Sequence, residues 1–263
     1  AIASVCDDLG LKLNCDDIKN VSSPLILVAG CGTGQHSIST ASRFLNCHVT
    51  GIDLSLSALA YAQRKSNALR LANIDYFQAD ILNLNITDKM FDIIESVGVL
   101  HHMDDPMVGW RILTGLLKPG GLMKIGLYSK LARHHLAVAR REISVPGSGT
   151  SDADIRKFRQ SIIESNDNRH QKLQESNDFF SMSTLRDLMF HVQEHSFTLP
   201  ELESSLDKLG LKFCGFEVND LFSQFRKFHV ENADMHDLTL WHEFERSNPT
   251  AFAGMYQFWC QKL

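Results

Sequence analysis

The sequence lacks three features, and each absence excludes a class of protein. There is no basic surplus: 26 Lys and Arg residues against 31 Asp and Glu give a formal net charge of −5, which argues against a nucleic-acid-binding protein. No apolar run approaches the roughly 20 residues of a membrane span, and no secretory leader is recognisable. The 6 cysteines include no Cys-x-x-Cys pair, which argues against a zinc ribbon or a disulfide framework. We therefore expect a reduced, cytoplasmic protein that binds neither nucleic acid nor membrane.

The length of 263 residues suits one large domain, or one domain with an insertion. The chain begins at Ala1 rather than at methionine, which suggests a fragment whose N-terminal elements are missing. Arg133, Arg140 and Arg141 form a local basic group. On a predicted helix, we interpret these arginines as a solvent-exposed face.

The most informative segment joins an apolar run to three glycines. Residues 25–29 have the composition of a buried strand, Gly30-Cys31-Gly32-Thr33-Gly34 follows, and a helix-compatible segment begins at Gln35. Glycine accepts positive φ and lets the backbone approach a ligand closely, while a helix N-terminus offers free N–H groups. The segment predicts a nucleotide-type or nucleoside-type pocket at the end of the first strand.

Two ligand classes compete for this pocket. The dinucleotide fingerprint is Gly-x-Gly-x-x-Gly, which places a pyrophosphate at the helix N-terminus. Here the third glycine comes one residue early, and Gln35 stands where the fingerprint has glycine or alanine. This difference disfavours a nicotinamide-dependent oxidoreductase.

Strand-like runs alternate with helical patterns through the first half of the chain. The alternation predicts an α/β fold with a doubly wound, mostly parallel sheet and helices on both faces. The predicted strands are 26–29, 48–53, 74–80, 91–96, 122–128, 211–218 and 255–260. The predicted helices are 35–44, 56–72, 106–117 and 199–209, and residues 118–121 are interpreted as a turn.

The alternation stops after Tyr128, where a mostly polar, helical pattern begins. Within it, Ile155, Phe158, Ile162 and Ile163 form one apolar face. We therefore expect a core made of residues 1–129 and 199–263, with residues 130–198 as a helical lid that determines acceptor specificity.

Two aspartates end successive predicted strands. Asp53 ends the second strand, where a carboxylate can accept hydrogen bonds from both hydroxyls of a ribose. Asp80 ends the third, where it can accept from the adenine amine. Each aspartate alone is better interpreted as a strand-end or capping residue. Together, after the glycine motif, they favour a ligand site.

Six segments occur in a recognisable order: 30–34, 51–55, 78–80, 91–96, 99–102 and 117–121. This series resembles the motifs of class I S-adenosylmethionine (SAM)-dependent methyltransferases of the small-molecule type. The resemblance implies a seven-stranded Rossmann-like sheet, SAM as cofactor and S-adenosylhomocysteine as product. It implies that Gly30, Gly32 and Gly34 border the methionine part, Asp53 the ribose, Asp80 and Ile81 the adenine, and Ser96 and Val97 the sulfonium, with Cys31, Gln35 and Leu54 as further cofactor-binding residues.

One position departs from the family. Its members usually carry an acidic residue two positions before the first glycine, where it helps to hold the amino group of the cofactor. Val28 occupies that position here. Either another group such as Glu95 takes over this role, or the protein binds SAM more weakly.

The candidate catalytic residues are histidines. His101 lies just after the fourth predicted strand, and a hydroxyl acceptor needs a base with a pKa near that of histidine. The alternatives are a packing role for His101 and His102, and Tyr128 as the pocket residue. His191, Glu194 and His195 match an inverted zinc-peptidase pattern, but no third ligand is evident and no metal is expected. We interpret His191 and His195 as lid residues that contact the acceptor, with His191 as the second catalytic candidate.

The sequence thus predicts SAM-dependent methyl transfer to an oxygen or nitrogen atom of a small molecule. A protein or peptide methyltransferase and a SAM-binding regulatory protein without catalysis remain the alternatives. The oligomeric state is left open.

Overall fold

A computed structural model describes residues 2–44, 46–86, 89–134, 151–165, 167, 170–171, 179–180, 185, 194–229 and 233–263. These residues form one seven-stranded sheet in the order β3-β2-β1-β4-β5-β7-β6. The strands are β1 (Leu25–Ala29), β2 (His48–Asp53), β3 (Ile74–Gln78), β4 (Phe91–Val97), β5 (Leu117–Leu127), β6 (Leu211–Phe216) and β7 (Tyr256–Lys262). β7 runs antiparallel to both neighbours, and the other neighbouring pairs are parallel. The predicted fold class is confirmed.

Helices cover both faces of this sheet. Within the described residues they are α1 (Ile2–Asp8), α2 (Gln35–Arg43), α3 (Leu56–Ala68), α4 (Pro106–Leu116), α5 (Asp152–Glu164), α6 (Leu199–Leu209), α7 (Asn219–Phe228) and α8 (Leu238–Ser247). The predicted bounds of α6 are confirmed, because Thr198 and Glu201 form a capping box at its start and Gly210 adopts φ 65° at its end. No helix among these residues is both long and apolar enough to cross a membrane.

Residues 118–121 were predicted as a turn before the fifth strand; the strand begins earlier, at Leu117, and these four residues make no pairs with β4. The segment lies inside β5, whose first residue, Leu117, pairs with Phe91 of β4 before the register shifts. A Cβ on Gly121 would lie 2.9 Å from the carbonyl oxygen of Asp92. Glycine here therefore permits the close approach of β4 at an irregular position in the ladder.

Hydrophobic side chains fill both faces of the sheet. On one face, residues of α4 and α6 to α8 surround Trp241, whose ring stacks on Phe225 at 4.2 Å between centroids. On the other face, α1 to α3 cover β1 and β4, with Val28 and Trp259 buried there. Full burial of each large apolar side chain stabilises the fold by roughly 1.5–3 kcal/mol. Helices α7 and α8 were not predicted, and these aromatic contacts anchor them.

Part of the predicted insertion is also described. Ser151 caps α5, and Ile155 and Ile162 are buried as the apolar pattern predicted. Ile163 was assigned to the same apolar face, but it is 47% exposed. The buried stripe of α5 is therefore narrower than the sequence suggested.

Candidate active site

The glycine motif forms a tight turn at the end of β1. Gly30, Gly32 and Gly34 adopt φ values of 75°, 52° and 90°, a region that other residues avoid. The backbone N–H of Gly30 donates to the carbonyl oxygen of Ile52 at 2.8 Å, which carries the turn across the end of β2. A Cβ on Gly30 would lie 2.3 Å from Cγ2 of Val99. The turn therefore requires glycine both for its backbone angles and for space.

The start of α2 is fixed from two sides. A Cβ on Gly34 would lie 2.7 Å from the Cβ of Ala62 in α3. Ser37 Oγ donates to the carbonyl oxygen of Gly34 at 3.1 Å. The hydroxyl of Tyr76 in β3 lies 3.1 Å from Ser37 Oγ and 3.0 Å from Ser66 Oγ. These contacts hold the helix N-terminus, and hence the last part of the turn, against β3 and α3.

Two further residues, one within the glycine motif and one directly after it, were predicted to bind the cofactor. Gln35 is exposed as the first residue of α2. Cys31 is buried, and its burial, with a smaller contribution from the negative charge of Asp53, raises the pKa of its thiol to about 12. Cys31 therefore stays protonated at neutral pH and is not a nucleophile.

Asp53 connects the glycine turn to the start of α3. Its Oδ2 accepts from the backbone N–H of Gly32, and its Oδ1 accepts from that of Ser55, both at 2.8 Å. The sequence did not reveal this role. Each carboxylate oxygen has a second lone pair for a ribose hydroxyl, and the adjacent Leu54 is 67% exposed. The arrangement therefore fits the ribose of SAM.

Asp80 lies beside this site, two residues beyond the end of β3. Its Oδ1 accepts from the backbone N–H of Leu82 at 2.9 Å, so it acts as a capping residue for the short 3-10 helix Ile81–Ile86. Ile81 is buried. The backbone N–H of Ala79 donates to the carbonyl oxygen of Asp53 at 3.1 Å, which brings the two aspartate segments together as predicted.

The end of β4 carries a buried hydroxyl. Ser96 is fully buried, and among the described residues its Oγ has no hydrogen-bond partner. An unsatisfied buried polar group carries a cost of about 1–3 kcal/mol, which a polar ligand atom would remove. Val97, half-buried, follows it, and a Cβ on Gly126 would lie 2.6 Å from its Cγ1. Ser96 thus fits a polar ligand at this strand end.

Aromatic rings meet at the ends of β4 and β5. His101 lies in the short 3-10 helix Leu100–His102 and is fully buried. Its ring centroid is 4.0 Å from that of Tyr128 and 4.3 Å from that of His102. The carbonyl oxygen of His101 accepts from the backbone N–H of His195 at 2.8 Å. The structure therefore brings together the four predicted acceptor-side residues that it describes.

Arg133 belongs to this cluster, and its predicted solvent-exposed position was wrong. Its guanidinium carbon lies 3.5 Å from the centre of the Tyr128 ring. Its Nε lies 3.1 Å from Oε1 of Glu194, and its terminal nitrogen donates to Oε2 at 3.2 Å. Both side chains are largely buried. The two contacts make a bidentate ion pair, and the guanidinium of this pair stacks on an aromatic ring. The pairing joins residues far apart in sequence, so no local pattern indicated it.

The chain leaves and rejoins the sheet at one point. Ser129 forms a parallel bridge with Phe197, whose backbone N–H donates to the carbonyl oxygen of Tyr128 at 2.9 Å.

His191, Arg140 and Arg141 lie outside the described residues. Across the residues that the structure describes, no group of three or more His, Cys, Asp or Glu side chains could hold a metal ion.

A groove of about 710 Å³ opens beside the residues around Phe197, between the starts of α4 and α6. Two of its acidic residues have local roles: Asp105 accepts from the backbone N–H of Met107, and Glu201 accepts from that of Thr198. The groove is lined by Asp104, Asp105, Pro106, Met107, His195, Ser196, Phe197, Pro200, Glu201, Ser204, Ser205 and Lys208. None of the predicted cofactor-binding residues lines it.

Comparison with known families identifies the class to which this site belongs. Residues 26–121 match the family model described as a methyltransferase domain. The match therefore gives this part of the chain a methyltransferase domain and supports the class I SAM-dependent methyltransferases, whose cofactor is SAM. The glycine turn, both aspartates and His101 all lie within the matched residues.

Individual relatives and solved structures are also similar to this chain. An uncharacterized protein of Synechococcus is 30% identical over 216 residues, which cover 78% of this chain and 51% of the relative. The (S)-tetrahydroprotoberberine N-methyltransferase of Eschscholzia californica is 27% identical over 124 residues, covering 47% of this chain and 35% of the enzyme. The structure of PKMT2 from Rickettsia typhi in complex with AdoHcy has the same fold, with a TM-score of 0.68 and 14% identity over 96% of this chain and 50% of that chain. The chain thus spans about half the length of these relatives, or less.

Proposed function

We propose that this domain transfers the methyl group of SAM to an oxygen or nitrogen atom of a small-molecule acceptor. The observation that carries the proposal is the arrangement along one sheet edge, where the glycine turn with Asp53 lies on one side and the buried His101 on the other. The small-molecule acceptor named for the Eschscholzia relative supports the same reaction class. The enclosure of His101 and Tyr128 under the segment that contains His195 also favours a small acceptor over a protein.

We assign the cofactor-binding roles from the family resemblance, and the contacts of the described residues support them. Gly30, Gly32 and Gly34 border the amino-acid part of SAM, and Asp53 accepts from the ribose hydroxyls. Asp80, Ile81 and Leu54 lie on the adenine side, with Ser96 and Val97 towards the sulfonium. When bound, SAM supplies a methyl group on a positively charged sulfur atom, which is an electrophile.

The residues on the acceptor side align the nucleophile and hold its proton. His101 accepts the proton of a hydroxyl acceptor as its oxygen forms the new bond to carbon, and an amine acceptor binds in its neutral form. Tyr128, on which Arg133 stacks, packs against the His101 ring, and the burial of His101 excludes water. Alignment of this kind contributes roughly 7–11 kcal/mol in well-oriented reactions.

We further propose that residues 130–198 form the lid over the acceptor. The pairing of Ser129 with Phe197 supports this assignment, because both ends of the segment meet beside Tyr128. His191 is a candidate second catalytic residue of this lid and stays a prediction.

Calorimetric titration of SAM, S-adenosylhomocysteine and NAD tests the cofactor. We expect Asp53→Ala to weaken SAM binding by about ten- to a hundredfold, or about 1.4–2.8 kcal/mol, because it loses the ribose contact and loosens Gly32. The matched control is Asp75→Ala, which removes an exposed carboxylate from the neighbouring strand and should leave the affinity unchanged. Binding of NAD in place of SAM would refute the proposal.

The acceptor is tested with methyl-labelled SAM. Labelled SAM is incubated with the protein and with either the small-molecule or the protein fraction of a cell extract. We expect the label in the small-molecule fraction; label in the protein fraction favours a protein methyltransferase, and SAM binding without transfer favours a regulatory protein. With the acceptor fraction that takes up label, His101→Ala should lower turnover by about 10²–10⁴-fold and leave SAM affinity unchanged. Full activity of this variant would exclude His101 as the base.

A further inference from the structure

The carboxylate missing at position 28 has a counterpart one strand away. Val28 of β1 pairs in register with Glu95 of β4. Neighbouring strands lie about 4.8 Å apart, and residues paired in this way point to the same face of the sheet. Both residues are buried, so Glu95 lies at the depth of Val28, two residues below the glycine turn.

Glu95 is bonded to the helix that continues from that turn. Its Oε2 accepts a hydrogen bond from Thr40 Oγ1 at 2.8 Å. Thr40 is itself buried in α2, which begins directly after Gly34. The carboxylate of Glu95 therefore connects the centre of the sheet to the helix whose first turn ends the cofactor-binding loop.

Charges of both signs lie near Glu95. Burial raises the pKa of Glu95, while the positive charge of Lys124, its register partner in β5, opposes this shift. Nζ of Lys124 lies 2.8 Å from Oε2 of Glu217, which also accepts from the indole N–H of Trp259 at 2.9 Å. Arg43 of α2 adds a second positive charge that lowers the pKa of Glu95.

A buried carboxylate at this position lowers the stability of the fold, because it loses its hydration. An apolar residue of similar volume would fill the space at lower cost, because it needs neither hydrogen bonds nor counter-charges. Its partner Thr40 could then also be apolar. The position therefore contains a polar connection between sheet and helix where packing alone does not require one.

We propose that Glu95 is a positioning residue of the SAM site, which holds α2 through Thr40 and thereby keeps the glycine turn in the shape that encloses the amino-acid end of SAM. This inference rests on the proposed function. It gives the buried carboxylate beside Val28 an indirect role in place of the direct contact that the family resemblance implies, and it assigns Thr40 the role of hydrogen-bond donor to Glu95.

The experiment compares two ligands in calorimetric titrations at pH 7.5. SAM has the amino-acid end, whereas 5′-methylthioadenosine retains the adenosyl part without it. We expect Glu95→Val and Thr40→Val to weaken SAM by at least tenfold and 5′-methylthioadenosine by less than twofold. Glu95→Gln keeps an oxygen acceptor for Thr40, so it should bind SAM within threefold of the unmodified protein.

The control is Glu217→Gln, which removes a carboxylate from the same buried group but has no bond to α2. It should leave the affinity for SAM within twofold. Unchanged SAM binding in Thr40→Val, or an equal loss of both ligands in Glu95→Val and Thr40→Val, would overturn the inference. A loss in Glu95→Gln as large as in Glu95→Val would also overturn it, because the charge rather than the hydrogen bond would then be needed. Failure of the unmodified protein to bind SAM refutes the proposed function instead.

Discussion

Replacement of Gly30 by alanine tests whether the turn needs glycine for its backbone angles, for space, or for both. Its φ of 75° places a side chain in the left-handed region, at a cost of about 1–2 kcal/mol. The new Cβ would also lie 2.3 Å from Cγ2 of Val99, a stiff side chain that cannot easily turn away. Overpacking of this kind costs about 1–3 kcal/mol. We expect Gly30→Ala to lower the free energy of unfolding by about 2–5 kcal/mol.

The matched control is Gly120→Ala in β5. Gly120 has a similar φ of 72°, but no atom lies within 4 Å of its added Cβ, so this variant should show only the backbone cost of about 1–2 kcal/mol. Both values are measured by urea denaturation. The added Cβ should also distort the turn, so we expect Gly30→Ala to bind SAM more weakly. The double variant Gly30→Ala with Val99→Ala should regain part of the lost unfolding free energy and part of the SAM affinity. If Gly30→Ala is no more destabilising than Gly120→Ala, the steric argument is wrong.

Three further predictions concern buried or charged groups. Tyr256→Phe removes a hydroxyl that donates to the buried Glu245 at 2.7 Å, so we expect a loss of about 1–3 kcal/mol in urea denaturation; unchanged stability would contradict the assigned bond. Lys12 lowers the pKa of Asp234, so the stability from this pair is present above the unfolded pKa of about 3.9 and is lost as the pH falls through the lower folded pKa. Asp234→Asn should therefore flatten the fall in stability between about pH 5 and pH 2. An unaltered pH profile would show that this pair does not contribute to the pH dependence of stability. Cys31 should resist alkylation by iodoacetamide at pH 8 in the native protein and react on unfolding, as mass spectrometry would show; rapid native labelling would show that it is exposed.

The sequence predicted those parts of the fold that depend on local patterns. The bounds of α6 followed from its caps, and β1 with its glycine turn followed from an apolar run and three glycines. The approach of Asp53 to Asp80 followed from the rule that parallel strands end at one edge. In each case neighbouring residues, or a general rule of topology, determine the result.

The remaining features depend on contacts between distant residues. The ion pair of Arg133 with Glu194 spans the insertion, and the pattern around Arg133 resembles that of any exposed helix. Residues 118–121 have the composition of a turn, but Leu117 before them already pairs with β4, so they form an irregular stretch inside β5. The bond from Gly32 to Asp53 depends on the exact path of the turn. The role of His191 stays a prediction.

The bridge between Ser129 and Phe197 makes the intervening segment a modular unit. Because its two ends meet at one place, its length and sequence can change while the seven-stranded sheet keeps its order. Under the proposed lid assignment, exchange of this segment between related proteins changes the acceptor and preserves the part of the chain that binds SAM. The proposed lid then allows the substrate range to evolve separately from the shared methyl-transfer chemistry.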